Sequence, residues 1–159
     1  MRIGITGDTH GSVRAIRQLV QHMPPLDLWL HTGDHAGDAN LLEAYSGLKV
    51  IRVVGNCDFG SKEALPDEFL ELAGHRLWLT HGHKYIERYE KADIGYWAGQ
   101  YGVEVAIYGH THVPLVDNYG EILLVNPGSP SRPRSSFGPS FAVLELKEGQ
   151  KPQAELFQL

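Results

Sequence analysis

The sequence predicts an α/β fold in which two β-sheets are stacked between outer helices. In the first half of the 159 residues, apolar runs rich in Val, Ile and Leu alternate with helical patterns, which is typical of parallel strands covered by helices. In the second half, strand-like runs are joined by short turns, which indicates hairpins. Several runs end in glycine followed at once by a possible metal ligand, so we expect a ligand site at one edge of the sheets.

The first half is predicted to run β-α-β-α-β with its three strands parallel. Ser12 can cap the first helix because its hydroxyl can accept a hydrogen bond from a free amide of the first turn, and Pro24 ends that helix. The predicted segments are strands over residues 3–6, 26–30 and 48–54, one helix after Ser12 and a second helix over residues 40–45.

The second half begins with a predicted hairpin over residues 68–80, whose two strands are joined by Ala73-Gly74-His75. A helix over residues 86–101 and a strand over 103–108 follow, and Gly102 marks the end of the helix. Two further hairpins are predicted over 113–125 and 141–159, so the remainder is expected to be antiparallel. The polar segment 126–139 is predicted to be a loop over the site.

The composition predicts a single domain over residues 1–159, long enough to bury roughly two-thirds of its unfolded surface. No apolar stretch approaches the roughly 20 residues of a membrane span, and no leader-like segment precedes the first strand. The formal net charge of −5 disfavours binding to extended nucleic acid, which depends on clustered Lys and Arg. Together with a single cysteine, Cys57, these features predict a cytoplasmic protein without a disulfide.

Seven possible metal ligands lie just behind predicted strand ends. They are Asp8, His10, Asp34, Asn56, His81, His110 and His112. A glycine at a strand end lets the chain turn sharply and aims the next side chain into the crevice at that edge. Seven donors exceed the roughly three protein ligands of a catalytic zinc ion, so two ions that share a carboxylate fit the set better.

These motifs resemble those of the calcineurin-like metallophosphoesterase superfamily. The matching residues, in the family's order, are Asp8-x-His10, Gly33-Asp34, Gly55-Asn56, His81 and Gly109-His110-x-His112. The small bacterial and archaeal branch, the YfcE-type phosphodiesterases, is similar in the forms Gly55-Asn56-Cys57-Asp58, Thr80-His81-Gly82-His83 and Asn126-Pro127-Gly128-Ser129. The resemblance spans nearly the whole chain and implies a four-layer α-β-β-α sandwich of two mixed sheets.

The resemblance also implies a role for each ligand. One ion would be held by Asp8, His10, Asp34 and His112, and the other by Asp34, Asn56, His81 and His110, so that Asp34 bridges the two. A donor set of carboxylate, amide and imidazole without thiolate suits Mn²⁺, with Fe²⁺, Zn²⁺ or Ni²⁺ as alternatives. Asp34, Asn56 and His110 are the expected catalytic residues.

The expected activity is that of a metal-dependent phosphodiesterase acting on small phosphate esters. Water between two divalent cations loses its proton readily, so hydroxide can attack the phosphorus directly and no phosphoenzyme is expected. Larger members of the family usually carry a histidine after the Gly-Asn pair, near the leaving group, whereas this chain has Cys57. Phenolic or otherwise activated diesters are therefore expected to be better substrates than simple alkyl monoesters.

Several other residues allow two interpretations. Cys57 beside two cations could have a lowered pKa, although a small buried cysteine is more common. His83 could orient substrate or contact a ligand, and the loop residues Arg132 and Arg134 could bind a substrate phosphate or simply lie exposed. Structural or packing roles are expected for His22, His31, His35, His75, Trp78, Tyr85, Trp97 and Tyr101.

A second function class is compatible with the same motifs. The phosphoesterase-fold subunit of the eukaryotic retromer resembles this branch and works as a scaffold, so the alternative is a non-catalytic metal-binding module. A missing ligand would favour the scaffold, and none of the seven is missing here. The expected partner is a small phosphate ester, and a homo-oligomer is compatible with the sequence.

Overall fold

The computed structural model describes residues 1–62, 64–86 and 91–159. Along these residues the elements are β1 (Arg2–Thr6), α1 (Val13–His22), β2 (Leu28–His31), α2 (Asp38–Ser46), β3 (Val50–Arg52), β4 (Asp67–Leu72), β5 (His75–Thr80), α3 (Lys91–Tyr101), β6 (Val105–Ile107), β7 (Leu115–Tyr119), β8 (Ile122–Asn126), β9 (Ser140–Glu145) and β10 (Gln153–Gln158). The strands form two five-stranded sheets, with orders β10-β9-β1-β2-β3 and β4-β5-β6-β8-β7.

The sheets pack face to face, and the helices cover their outer faces. Side chains from both sheets, such as Ile5 of β1 and Leu79 of β5, share one buried apolar cluster. Ile16 of α1 packs against Trp29 on the outside of the first sheet, and Ile94 of α3 belongs to a third cluster outside the second sheet. The predicted α-β-β-α sandwich is therefore confirmed.

The parallel first half is also as predicted. β1 pairs in parallel with β2, and β2 with β3. Ser12 caps α1, since its Oγ accepts a hydrogen bond of 3.2 Å from the amide of Ala15. The second strand begins at Leu28 rather than at residue 26. The preceding residue, Asp27, bonds to Arg2 through its amide, which donates to the carbonyl of Arg2, and through its side chain, which accepts from the amide of Arg2.

One strand direction in the second half differs from the prediction. β7 and β8 form the expected antiparallel hairpin, but β8 then lies in parallel beside β6. This follows from the path of the chain, because β7 occupies the outer edge and β8 returns between β7 and β6. The hairpin loop is Gly120-Glu121, since Tyr119 pairs with Ile122. The prediction that this region is wholly antiparallel is therefore wrong.

The third helix is described from Lys91, and residues 87–90 of the predicted helix lie outside the described part of the chain. Ile86 is not helical, and its amide donates to the carbonyl of Gly82. The predicted aromatic packing is present: the ring centroids of Trp78 lie 4.8 Å from Tyr85 and 5.0 Å from Tyr101. Among the described residues, no helix has the length and apolar character needed to cross a membrane.

His75 connects the two sheets at the end opposite the ligand loops. Its ring is buried, and its Nδ1 lies 2.9 Å from Oε2 of Glu104 while its Nε2 donates to the carbonyl of Lys147 at 3.0 Å. Glu104 precedes β6 of the second sheet, and Lys147 follows β9 of the first. The hydrogen bond to Lys147 and the Glu104 carboxylate raise the pKa of His75, so the structure favours the charged ring.

Glu104→Gln is therefore expected to destabilise the protein by about 0.5–1 kcal/mol at pH 6, because Glu104 is partly exposed. A pKa raised by folding gives stability that is present below the unfolded pKa of about 6.5 and is lost as the pH rises through the folded value. The difference between variant and wild type in urea unfolding should thus shrink by pH 8.5. An equal difference at both pH values would contradict this assignment.

Candidate metal centre

The predicted ligands converge at the carboxyl ends of five strands drawn from both sheets. Asp8, Asp34 and Asn56 follow β1, β2 and β3 of the first sheet. His81 and His110 follow β5 and β6 of the second sheet. The two groups meet across the interface between the sheets, since the amide of His110 donates to Oδ2 of Asp8 at 3.0 Å.

The backbone of these loops is strained at the ligands themselves. Five of the seven predicted ligands have a positive φ, between 48° and 67°: Asp8, His10, Asp34, His110 and His112. Residues other than glycine seldom adopt this conformation, and such strain is concentrated at functional sites. The glycines before them allow close packing: a Cβ on Gly109 would lie 2.4 Å from Oγ1 of Thr32. The ligand loops can therefore approach each other tightly only with glycine at this point.

Four of the ligands form one compact cluster. Asp8, His10, Asp34 and His112 each offer a ligand atom, and these atoms all lie within 4.8 Å of one another. Nε2 of His10 lies 3.3 Å from Nε2 of His112 and 3.8 Å from Oδ2 of Asp34. Nε2 of His112 lies 3.2 Å from Oδ1 of Asp8.

Hydrogen bonds outside the cluster orient its donor atoms. Nδ1 of His112 donates to the carbonyl of Arg132 at 2.7 Å, so in the neutral ring Nε2 carries a lone pair that points toward the cluster. Oδ1 of Asp8 is buried and has no hydrogen-bond partner among the described residues. A buried carboxylate oxygen without a donor is costly, and a cation at this point would satisfy it.

Of the remaining predicted ligands, His81 approaches the other oxygen of Asp34, and Asn56 and His110 lie beside His81. Nδ1 of His81 donates to the carbonyl of Thr32 at 2.8 Å, so Nε2 of the neutral ring is an acceptor. That nitrogen lies 3.0 Å from Oδ1 of Asn56 and 3.4 Å from Oδ1 of Asp34, which are acceptors too. The ring of His110 lies beside His81, with 5.2 Å between centroids. Acceptors that face one another in this way fit a shared cation.

The protonation states agree with this arrangement. Burial lowers the pKa of His10 and of His110, so both rings are neutral at pH 7. Burial alone would raise the pKa of Asp34, but its proximity to His81 and the hydrogen bond from the amide of Cys57 hold it below its usual value. Burial opposes protonation of His112, yet contact with Asp8 raises its pKa. A proton therefore competes with a cation for the space between Asp8 and His112.

Several further residues position the predicted ligands, and for Asn126 and Ser129 this role was not assigned from the sequence. Asn126 donates to the carbonyl of Gly109 at 3.0 Å, and Oγ of Ser129 donates to the carbonyl of Asp8 at 2.8 Å. The Asn-Pro-Gly-Ser motif after β8 was the available signal. Asp38 accepts hydrogen bonds from Thr9 and Gly11, and Asp58 from Ala36 and Gly55. The predicted loop 126–139 thus packs against the ligand loops.

The residues with two interpretations are placed as follows. Cys57 is exposed, so the expectation of a small buried cysteine is wrong. Partial desolvation of its thiol and the nearby Asp34 carboxylate raise its pKa to about 11, whereas a lowered pKa beside two cations stays a prediction. The ring centroid of His83 lies 5.3 Å from that of His81, and the exposed His35 lies 5.7 Å from His10. His31 is structural, because burial lowers its pKa to about 4 and it is hydrogen-bonded to Thr9 and Gly33.

Comparison with known proteins identifies the family. Residues 1–149 match the family model described as the calcineurin-like phosphoesterase superfamily domain. The chain belongs to the calcineurin-like phosphoesterase superfamily. The probable metallophosphoesterase MJ0623 of Methanocaldococcus jannaschii is 34% identical to this chain, and the match covers 100% of this chain and 82% of that protein. The phosphodiesterase YfcE of Escherichia coli K12 is 32% identical over 91% and 88%.

Solved structures of other proteins share the fold. The structure of YfcE from E. coli has a TM-score of 0.69 at 27% identity and covers 91% of this chain and 88% of its own. Wild-type Vps29 of Entamoeba histolytica in complex with Zn²⁺ has a TM-score of 0.77 at 20% identity, over 99% of this chain and 98% of its own. The likeness to Vps29 concerns the fold alone.

Proposed function

We propose that this protein is a dinuclear-metal-dependent phosphodiesterase that hydrolyses small phosphate esters. The observation that carries the proposal is the convergence of acceptor atoms on both oxygens of Asp34: Nε2 of His10 approaches Oδ2, and Nε2 of His81 approaches Oδ1. Membership of the phosphoesterase superfamily supports the reaction class. We propose Mn²⁺ as the metal, with Fe²⁺, Zn²⁺ or Ni²⁺ as alternatives for the same donors.

The ligand assignment follows from the two clusters. In this proposal Asp34 is the shared ligand. The first ion is assigned to Asp8, His10, Asp34 and His112, and the second to Asp34, Asn56, His81 and His110. When bound, two divalent cations would lower the pKa of water and neutralise charge on the substrate phosphate.

The chain itself supplies orientation and access. The carbonyls of Thr32 and Arg132 hold the rings of His81 and His112 so that each Nε2 points inward. Asn56 is exposed and His110 is partly exposed, so we assign these two to contact with the substrate phosphate beside Asp34. Because two bound cations would activate water as the attacking group, no side-chain nucleophile is required, and we propose direct hydrolysis without a phosphoenzyme.

The residue after Asn56 affects the choice of substrate. Partial desolvation and the nearby Asp34 carboxylate raise the pKa of Cys57 to about 11, and a neutral thiol is only a weak hydrogen-bond donor. Poor leaving groups depend most on a proton donor, and the thiol at this position is a weaker proton donor than an imidazolium would be. We therefore propose that aryl diesters react faster than alkyl monoesters.

The test is hydrolysis by metal-free protein supplied with Mn²⁺, Fe²⁺, Zn²⁺ or Ni²⁺ in turn. Bis(p-nitrophenyl) phosphate should be hydrolysed with manganese, faster than p-nitrophenyl phosphate or an alkyl monoester, and EDTA should abolish the reaction. Protein that binds metal but hydrolyses no diester, monoester or pyrophosphate would overturn the proposal. That outcome would favour the alternative, a metal-binding scaffold, which the shared fold with Vps29 supports.

The setting of this activity is also a proposal. We propose a cytoplasmic enzyme that acts on a small phosphate ester, alone or as a homo-oligomer. The net charge of −5 supports a small substrate over extended nucleic acid, since phosphate backbones bind clustered basic residues.

A further inference from the structure

Two arginine side chains near the metal centre have no counterion in the described structure. Arg132 and Arg134 lie on the loop between β8 and β9, and both are exposed. Neither guanidinium forms a hydrogen bond or an ion pair with the described residues. Some other arginines have partners: Arg2 pairs with Glu145 at 3.0 Å, and Arg52 donates to Asn40 at 2.7 Å. Two unpaired cations on one loop are notable in a chain with a net charge of −5.

The backbone beneath these arginines is held firmly to the ligands. The amide of Arg132 donates to Oγ of Ser129 at 2.8 Å, and its carbonyl accepts from Nδ1 of His112 at 2.7 Å. The amide of Arg134 donates to the carbonyl of His112 at 3.1 Å. Ser129 and Ser131 in turn donate to the carbonyl of Asp8. Both side chains therefore project from a fixed backbone next to the first cluster.

The charge at the site exceeds what the scissile phosphate requires. A phosphodiester carries one negative charge, which two divalent cations would already neutralise. A terminal phosphate carries about −1.5 to −2 charges and offers three acceptor oxygens. A guanidinium binds such a group through two parallel hydrogen bonds.

We propose that Arg132 and Arg134 form a subsite for a second phosphoryl group of the substrate, beside the phosphate at the metal centre. The preferred substrates are then phosphodiesters that carry an additional phosphate. This inference rests on the proposed phosphodiesterase function for its substrate class, but the subsite itself belongs to the chain and can be tested by binding.

The binding test compares thymidine 5′-monophosphate with thymidine 3′,5′-bisphosphate by calorimetry. It uses wild-type protein treated with manganese, because neither nucleotide contains the diester bond whose hydrolysis is proposed. The bisphosphate should bind at least about ten-fold more tightly, since tenfold corresponds to one charge-assisted contact of about 1.4 kcal/mol. Arg132→Gln with Arg134→Gln should remove most of this preference. Equal binding of the two nucleotides, or a preference that survives both substitutions, would overturn the proposal.

Arg17→Gln is the matched control, because Arg17 lies on α1 with its guanidinium 5.6 Å from the ring of Tyr45 and carries the same charge. It should leave the preference unchanged, whereas an equal loss in this control would show a general charge effect and overturn the subsite. A parallel assay with the wild-type enzyme compares thymidine 5′-(p-nitrophenyl phosphate) with its 3′-phosphorylated form. The 3′-phosphate should lower KM more than it changes kcat.

Failure of the function and failure of the subsite give different results. Bisphosphate preference without hydrolysis of either nitrophenyl ester would support the subsite and overturn the phosphodiesterase proposal. Hydrolysis of both esters with the same KM, together with equal nucleotide binding, would support the enzyme and overturn the subsite.

Discussion

Asp34→Asn is expected to lower manganese-dependent diester turnover by more than about 100-fold. Oδ1 of Asp34 lies 3.4 Å from Nε2 of His81, and Oδ2 lies 3.8 Å from Nε2 of His10, so this carboxylate joins the two clusters. Asparagine removes one oxygen and the negative charge. Loss of a group that only supports a metal ligand typically costs 10–100-fold, and a shared ligand should cost more.

The fold should survive this substitution. Oδ1 of Asp34 accepts the amide of Cys57 at 2.8 Å, and the amide oxygen of asparagine can still accept it. The measurements are kcat with saturating manganese, metal content per chain and circular dichroism. Asp117→Asn is the control, because Asp117 lies on the edge strand β7 with a partly exposed side chain and pairs with surface Lys91. Wild-type turnover in Asp34→Asn would rule out a bridging role.

Gly33→Ala is expected to destabilise the protein by about 3 kcal/mol or more and to weaken metal binding. Gly33 has a φ of +96°, and a Cβ there would lie 2.7 Å from the amide nitrogen of Gly55. Neither backbone can move easily, because Gly55 is also held by Oδ2 of Asp58 at 2.8 Å. The methyl group would therefore push apart the loops that carry Asp34 and Asn56.

Gly47→Ala is the control for Gly33→Ala, because it introduces the strain of a positive φ without the close contact that a Cβ at residue 33 makes with Gly55. Gly47 has a φ of +69° at the end of α2, but a Cβ there meets nothing within 4 Å. Its substitution should cost only about 1–2 kcal/mol, the strain of a left-handed residue. Urea unfolding of both variants gives the comparison, and metal titration follows the site. Equal destabilisation would show that the contact with Gly55 contributes nothing.

The site could be predicted in large part from the sequence because its signals are local. A glycine at the end of an apolar run indicates where a strand stops, so the positions of Asp8, Asp34 and His110 followed from short motifs. The Ser12 cap was predictable for the same reason, since its partner Ala15 is three residues away. Parallel order then places the strand ends at one edge.

Features that depend on distant contacts could not be predicted in this way. The direction of β8 is decided by whether it pairs with β6 or only with β7, and neither hairpin turn records that choice. The carbonyl of Thr32, which orients His81, is a backbone atom common to every residue and leaves no sequence signal. The exposure of Cys57 likewise depends on how its loop leaves the sheet.

The division of the ligands between the sheets has a mechanical consequence. Asp8, Asp34 and Asn56 extend from one sheet, and His81 and His110 extend from the other. A pair of bound ions coordinated by both groups would therefore cross-link the two sheets. Sliding of one layer past the other would then break coordination before it disturbed either layer. Mutations deep between the layers should accordingly be detected first as a loss of metal affinity, well before the protein loses its secondary structure.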